Sequence, residues 1–432
     1  MAVIGTVAAP LNPENMDSVP AHDASEVEKY FDENAEYFVP TSQAQPALAG
    51  DALANRLRLV GTELGLVRVG FARAEPFIQG KEAFEQWLEH GYAGSMSYLA
   101  EFGDRSDPRR LLPNARTIVA VAMPTAGPIH PRPDSTEGVV ADYALGLDYH
   151  IALRGRLRRL SQAMADFSGQ AVWARPCIDT APLLEREAAR RAGIGFIAKS
   201  TMLIVPGLGP RVMLGVLVTT LDLPSSEPLE SRCGRCTACL DACPTQALLR
   251  PFVLDARRCV SYLSIEHQGE VPADLRDGMG QHLVGCDVCQ TVCPYDRIAA
   301  APVMPTDNAP RSVLVNPKLE RWLEMTATDY RRVTKRSALR RLGRTQLMRN
   351  AAIAMGNAQQ PASVAALSRA LSSPRSAIVR AHAAWALGKI GNAEAKRALV
   401  RALSSEVETS VIDEIQRALG RVRALPPGGA TA

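Results

Sequence analysis

The chain has 432 residues, of which 47% are hydrophobic and 22% charged, with a formal net charge of +4. That is longer than one hydrophobic core organises, so two to four domains are expected. The composition excludes a disordered chain, and no apolar run reaches the roughly 18 residues of a membrane span. The slight basic excess permits a nucleic-acid partner without demanding one.

The opening stretch, MAVIGTVAAPLNPENMD, has no basic n-region, no twin arginine and no long apolar run, so no export signal is expected and the cytoplasm is the expected address. Residues 1–50 mix Pro, Ala and acids, with one amphipathic patch around Val27–Phe38, and read as a partly disordered extension. From Asp51 the texture is α/β. A helix is expected over Ala52–Leu64, a strand over Leu66–Phe71 and a helix over Lys81–His90, stopped by Gly91. Thr117–Met123 and Val212–Leu221 are unbroken apolar runs, as in strands buried on both faces. A long basic amphipathic helix is expected from Asp148 to Phe167, ending at Gly169. A further helical run reaches Ala192 and is closed by Gly193; Asp179 or Thr180, ahead of Pro182, could cap it.

Nine cysteines in such a chain argue for metal rather than disulfides. Eight of them fall between Cys233 and Cys293. Cys233, Cys236, Cys239 and Cys243, followed by Pro244, form the bacterial ferredoxin run, and Cys286, Cys289 and Cys293, followed by Pro294, form a second run lacking its first cysteine. Cys259, between the runs, supplies the missing thiolate. In two-cluster ferredoxins the last cysteine of each run ligates the other cluster. One [4Fe-4S] cluster is therefore assigned to Cys233, Cys236, Cys239 and Cys293, and a second to Cys243, Cys259, Cys286 and Cys289. Two zinc knuckles are the alternative, but three cysteines crowded into one short run suit a cubane better. Cys177 is left over and reads as a small buried apolar side chain.

After a proline-bearing linker near 302–310 the chain is helical to its end, and there it repeats. Leu-x-Arg-Ala-Leu-Ser-Ser occurs at Leu367–Ser373 and Leu399–Ser405, and Ala-x-Ala-[Met/Leu]-Gly at Ala352–Gly356 and Ala384–Gly388, each pair 32 residues apart. A fixed period of helical hairpins marks a short HEAT-like array. The expected organisation is thus an extension over 1–50, an α/β domain over 51–230, a ferredoxin-like two-cluster domain over 231–300 and all-α HEAT-like repeats over 310–432. Basic residues crowd Tyr330–Asn350: Arg331, Arg332, Lys335, Arg336, Arg340, Arg341, Arg344 and Arg349. No acid stands at i+3 or i+4 within the stretch, so the charge is not neutralised locally. A solvated helix face is the plain reading; a phosphate-tracking patch is the functional one.

Asp142-Tyr143-Ala144-Leu145-Gly146-Leu147-Asp148-Tyr149-His150, Asp179-Thr180-Ala181-Pro182-Leu183-Leu184-Glu185-Arg186 and Lys199-Ser200-Thr201-Met202-Leu203-Ile204 resemble the epoxyqueuosine reductases. So do the cluster runs, Asp255–Leu263 and Gly285-Cys286-Asp287, in the correct order over roughly residues 50–430. The resemblance implies a cobalamin-dependent reduction on tRNA, in which the wobble-position epoxide of epoxyqueuosine becomes an alkene and its oxygen leaves as water. It implies Asp179 as general acid beside the cobalamin. Lys199, Ser200 and Thr201 would line the cobalamin tail, and Ser261, Cys286 and Asp287 would lie where the second cluster approaches the corrin. Arg336, Arg340, Arg341 and Arg344 become the candidate tRNA contacts. An external low-potential electron donor, no membrane and a monomer complete the expectation. The family usually has Gly-Lys-[Asn/His] where this chain has Ala198-Lys199-Ser200, which bears on the cofactor tail. Asp148-Tyr149-His150 also resembles the start of a cobalt-ligating Asp-x-His-x-x-Gly box, but Leu153 stands at the glycine position. His150 therefore reads as a helix N-terminal residue. The rival readings are a reductive dehalogenase, which would carry an export signal, and a non-catalytic electron carrier, which would bind no corrinoid.

Overall fold

The computed structural model describes residues 38–42, 47–101, 103–125, 133–299, 308–373 and 376–424. Most of the expected extension over 1–50, including nearly all of the Val27–Phe38 patch, and the linker residues 302–307 lie outside the described residues.

The first domain is built on a five-stranded sheet. Its central strands, Thr117–Pro124 and Val212–Thr219, pair along their whole length, with Thr117 opposite Thr219 and Pro124 opposite Val212. Arg68–Arg73 flanks one side and Val172–Cys177 the other, with Phe38–Val39 outermost. Every pairing is antiparallel, so the expected α/β class holds as a mixture of helix and sheet but not as a parallel sheet. The apolar runs arise because both faces are covered. Val119, Val121 and Met123 face a core shared with helices Gly50–Glu63 and Tyr149–Ser168. Ile118, Ala120 and Ala122 face the opposite side, where helix Glu185–Arg191 packs.

Helix Tyr149–Ser168 is positioned at both ends by local chemistry. The Asp148 carboxylate accepts from the His150 backbone N–H at the start, and Gly169, at φ +68°, takes the left-handed cap at the end. Cys177 is fully buried in the core against helix Glu185–Arg191, and burial pushes its thiol up to about 12. That is the expected inert core residue.

The cysteine segment is a set of short helices, Ala238–Asp241, Val260–Ile265, Val288–Thr291 and Pro294–Arg297, with a hairpin of Leu248–Arg250 and Val253–Leu254. His282–Val284 pairs in parallel with Val139–Val140. The helical tail is not a loose appendage. One hydrophobic core runs from Val260, Leu263 and Leu283 through Trp322 to Ile415. Arg276 of the cysteine segment pairs with Glu414 of the last helix at 3.1 Å, both fully buried. Arg349 is buried completely, its guanidinium donating to the carbonyls of Leu263, His267 and Gly269.

The repeat glycines mark where successive hairpins touch. Helices Arg344–Ala358, Ala377–Ile390 and Thr409–Ala424 stack in order. A Cβ on Gly356 would meet Trp385 at 2.5 Å, and one on Gly388 would meet Ala418 at 2.7 Å. Only glycine allows that approach, which is why the echo recurs with the repeat.

Candidate active site and cluster ligands

The eight cysteines fall into two neighbourhoods. Burial raises the Cys293 thiol, and among its charged neighbours are Cys233 and Cys236. The same two thiols act on Cys239, which burial also raises. Cys259, raised by burial, feels Cys243. Cys286, pushed by burial to about 12, feels Cys259 and Cys243, and Cys289 feels Cys286 and Cys259. Cys293 is thus within electrostatic reach of the first run, and Cys243 within that of Cys259 and Cys286. Cys239 also acts on Cys289, and helices Ala238–Asp241 and Val288–Thr291 pack together, so the two neighbourhoods adjoin. Among the described residues no three such side chains close round a point as a single metal ion requires; a cubane is wider than an ion and holds its thiolates apart. Backbone N–H groups reach the sulfurs, from Lys199 to Cys233 at 3.5 Å and from Ala247 to Cys243 at 3.2 Å. Such bonds help set a cluster's potential.

Lys199, Ser200 and Thr201 form the turn between Phe196–Ile197 and Leu203–Ile204. Thr201 sits at φ +66°, an uncommon state for a β-branched residue. Its carbonyl and hydroxyl accept from Arg186 at 2.5 and 3.3 Å, and Ser200 is buried. Lys199 reaches toward the cysteine segment. Its ammonium donates to the carbonyls of Gly234 and Cys236 at 2.7 and 3.0 Å, inside the first cysteine loop. Ser261 supports Cys259 through its hydroxyl and backbone. Asp287 accepts from the Asp142 N–H at 2.7 Å and from Gln290 at 2.9 Å; burial, then the nearby Asp142 charge, pushes its carboxyl up to about 7.

Asp179 follows the Val172–Cys177 strand at φ +53°. It caps no helix: the next one begins at Glu185, with Leu184 as its uncharged N-cap. The capping expectation fails because the chain between them is a turn that ties Asp179 to Glu185 instead, the Asp179 N–H donating to the Glu185 carboxylate at 2.5 Å. Tyr149 donates its hydroxyl to Asp179 Oδ2 at 2.7 Å. His150 Nε2 stands 3.6 Å from the same oxygen, too far for a hydrogen bond but close for charge, while Nδ1 meets Asp148 at 2.8 Å. Burial alone would raise the Asp179 carboxyl; His150, then Arg341 and the Tyr149 hydroxyl, hold it well below the usual carboxylate range. Its side chain remains 52% exposed, so water tempers both effects. Burial and the Asp179 charge push Glu185 up to about 8. Burial opposes the charged form of His150, yet Asp148 and Asp179 carry it up to about 9. The site therefore holds one ionised acid beside two groups that keep their protons at neutral pH.

Tyr143 is the wall that joins this acid to the second cysteine set. It packs edge-on against Tyr149 at 5.9 Å. Burial raises its hydroxyl, and the charges of Asp179 and Asp287 both act on it. Tyr149 and Glu185 lay within motifs quoted from the sequence, but their contact with Asp179 depends on a strand and a helix meeting and had no local signal.

The basic stretch divides in two. Arg341 is no free surface charge: its guanidinium grips Glu266 at 2.9 and 3.1 Å and Tyr98 at 3.2 Å, and its charge reaches Asp179. Arg332 pairs with Asp329, just ahead of the stretch, at 2.6 Å, and Arg349 is in the core. Arg336 and Arg340 are exposed and Arg344 is half-buried. The Arg336 carbonyl accepts from the Asp148 N–H at 2.9 Å, which sets this segment against the helix start that carries His150.

Residues 105–180 match the family described as epoxyqueuosine reductase QueG, DUF1730. Residues 232–296 match the 4Fe-4S double cluster binding domain, and 336–420 match HEAT repeats. The epoxyqueuosine reductase of Aliivibrio fischeri is 40% identical over 311 residues, 71% of this chain and 83% of that protein. The one from Xanthomonas campestris is 38% identical over 351 residues, 78% of this chain and 96% of that one. A crystal structure of epoxyqueuosine reductase with a tRNA-Tyr epoxyqueuosine-modified stem loop superposes with a TM-score of 0.79 at 31% identity, covering 86% of this chain and 99% of that one.

Proposed function

Because the chain belongs to the epoxyqueuosine reductase family, we propose that Asp179 is the acid that protonates the departing epoxide oxygen, and that Arg336, Arg340 and Arg344 hold the tRNA beside it. The enzyme reduces epoxyqueuosine to queuosine at the wobble position of tRNA, with cobalamin and two [4Fe-4S] clusters as cofactors. The substrate takes up two electrons and two protons, and the epoxide oxygen leaves as water.

In this reading residues 51–230 hold the cobalamin, 231–300 the clusters and 310–432 the RNA. The residues fit these groups. Two adjoining sets of four cysteines are available for the cubanes. Beside Asp179 lies a buried ring nitrogen, His150 Nε2, with no hydrogen-bond partner among the described residues. Cobalamin, when bound, supplies the low-potential chemistry that removes the oxygen. Ser200 and Thr201 would meet its tail through the backbone of their turn, and Ser261, Cys286 and Asp287 would face the corrin from the cluster side.

The chain's own task at the epoxide is to manage protons. Asp179 is held ionised at rest, so a proton can pass through it only as negative charge develops on the departing oxygen. His150, charged at neutral pH and 3.6 Å away, is the neighbour that can supply that proton. Tyr149 fixes the carboxylate through its 2.7 Å hydrogen bond. The observation that carries the reading is Tyr143, within electrostatic reach of both Asp179 and Asp287: the acid and the second cysteine set flank one side chain. A tRNA substrate, and no helix among the described residues long and apolar enough to cross a membrane, support cytoplasmic work. An external low-potential donor would supply the two electrons.

The test is Asp179→Asn in anaerobic single turnover on an epoxyqueuosine-modified stem loop. Both cluster spectra and cobalamin binding should persist while turnover falls on the order of 10²–10⁴-fold. Near-normal turnover in that variant would remove Asp179 from the chemistry.

A further inference from the structure

The two cysteine neighbourhoods differ in what surrounds them. Around Cys259 and Cys286 the adjoining residues Val260, Tyr262, Leu263, Val284 and Gly285 are buried. Around Cys233 and Cys236 the loop is open: Gly234, Arg235 and Thr237 are exposed. Electrons bound for a cofactor beside the second set must enter at the first.

The open side is a connected surface. The Leu248–Arg250 hairpin reaches it through its tip, where the Phe252 N–H donates to the Lys199 carbonyl at 3.0 Å. Lys199 in turn holds the Gly234 and Cys236 carbonyls. On the other flank, the Tyr295 hydroxyl donates to the Arg232 carbonyl at 3.2 Å, which brings in the turn ending at Ile298. Three large apolar side chains lie exposed on these pieces: Leu249 at 47%, Phe252 at 49% and Ile298 at 72%. Arg232, Arg235, Arg250 and Arg297 are exposed among them, and none forms an ion pair with a described acid. Of the exposed acids nearby, Asp241 accepts from the Thr237 hydroxyl at 2.7 Å and Glu230 lies within reach of the Arg190 charge. An apolar centre within an arginine rim has the composition of a protein contact and not of idle surface.

We propose that this face is the docking surface for a small acidic one-electron carrier protein, which reduces the cluster held by Cys233, Cys236, Cys239 and Cys293. Acidic side chains on the carrier complement the four arginines and steer its approach; the apolar centre brings its redox group against the loop. Each encounter moves one electron and no proton. The carrier is oxidised by one electron and the cluster is reduced by one, and two encounters supply the pair that the epoxide consumes. The inference rests on the two-cluster reading, and the experiment separates failure of one from failure of the other.

The holoenzyme carrying Arg250→Glu and Arg297→Glu is mixed with reduced flavodoxin, and cluster bleaching is followed in stopped flow. The rate at low salt should fall on the order of tenfold or more, and its dependence on salt should flatten, as steering is lost. Reduction of the same variant by a small photoexcited deazaflavin should proceed as in the wild type, which shows the clusters intact. The neutral pair Arg250→Gln and Arg297→Gln should slow flavodoxin less, in the same direction. An unchanged flavodoxin rate in the charge-reversed variant overturns the proposal. So does lost affinity for the modified stem loop with flavodoxin reduction intact, since the face would then be reading RNA.

Discussion

His150 Nε2 lies 3.6 Å from Asp179 Oδ2, while the other ring nitrogen lies 2.8 Å from Asp148; one imidazole is held between two carboxylates. Asp148 is also the N-cap of the helix that carries His150, so the ring's position is fixed by the same residue that begins the helix. The contact suits the proposed proton relay: a carboxylate with a protonated imidazole behind it.

That arrangement predicts a pH limb. His150 is raised from the usual 6.5 to about 9, so its pairing contributes stability fully below about 6.5 and loses it as pH rises through about 9. Glu185 runs the other way, since a buried carboxyl raised from 4.5 to about 8 costs stability progressively as pH climbs between those values. Single-turnover reduction of modified tRNA should therefore decline as pH passes from about 8 to 9, when both reserves lose their protons. His150→Gln should slow the reaction on the order of 10–100-fold at neutral pH and move the limb downward, with cobalamin still bound. An identical pH profile in the variant would place the proton source elsewhere.

Cys293→Ser distinguishes the crossed ligand sets from uncrossed ones. Its thiol lies beside Cys233 and within reach of Cys236. The variant, purified without oxygen, should keep the cluster of Cys243, Cys259, Cys286 and Cys289 and damage the other. Electron paramagnetic resonance of the reduced protein resolves which signal is lost. Selective loss of the second signal would contradict the crossing.

The two-cluster segment was legible because the cysteine spacing encodes it, and the repeat was legible because Gly356 and Gly388 must recur wherever helices touch. What failed to show was whatever the helix spacings i+3 and i+4 do not reach. Arg341 read as an unpaired charge because a search at i+3 and i+4 cannot find Glu266, 75 residues away. Arg349 looked like surface although its guanidinium is buried among carbonyls. Asp179 looked like a cap because a helix was in prospect, and the first helical residue, Glu185, turned out to be its partner. The sheet's antiparallel order was hidden by the burial of both faces, which erases the usual alternation.

The repeat glycines can be tested for stability. In an exposed helix, glycine to alanine gains up to about 1 kcal/mol from propensity. At Gly388 the added methyl would lie 2.7 and 2.8 Å from Ala418 Cβ and Cα, and backbone cannot move aside as a side-chain tip can. Overpacking of that kind costs about 1–3 kcal/mol, so Gly388→Ala should lower the thermal midpoint. Gly420, in the last helix, has nothing within 4 Å of the same methyl, and Gly420→Ala should raise it. Equal shifts at the two sites would mean that the hairpins pack less closely than described.

The arginines of the basic stretch should separate into two kinds under mutation. Arg336 and Arg340 are exposed beside the helix start that carries His150, where a wobble nucleotide would have to be delivered. Charge reversal at Arg336, Arg340 and Arg344 should weaken binding of the modified stem loop and flatten its salt dependence, because each lost phosphate contact releases fewer counterions. Cluster spectra should not change. Arg341 should behave otherwise. Removing it takes the Arg341 ion pair from Glu266 and a positive charge from the neighbourhood of Asp179. Arg341→Ala should therefore alter the pH dependence of turnover more than it alters RNA affinity, and the Asp179 carboxyl should titrate higher. Filter binding across a salt series, run beside single-turnover pH profiles, distinguishes the two. If all four substitutions shift only the salt slope, Arg341 acts as another phosphate contact and its grip on Glu266 has no part in the chemistry.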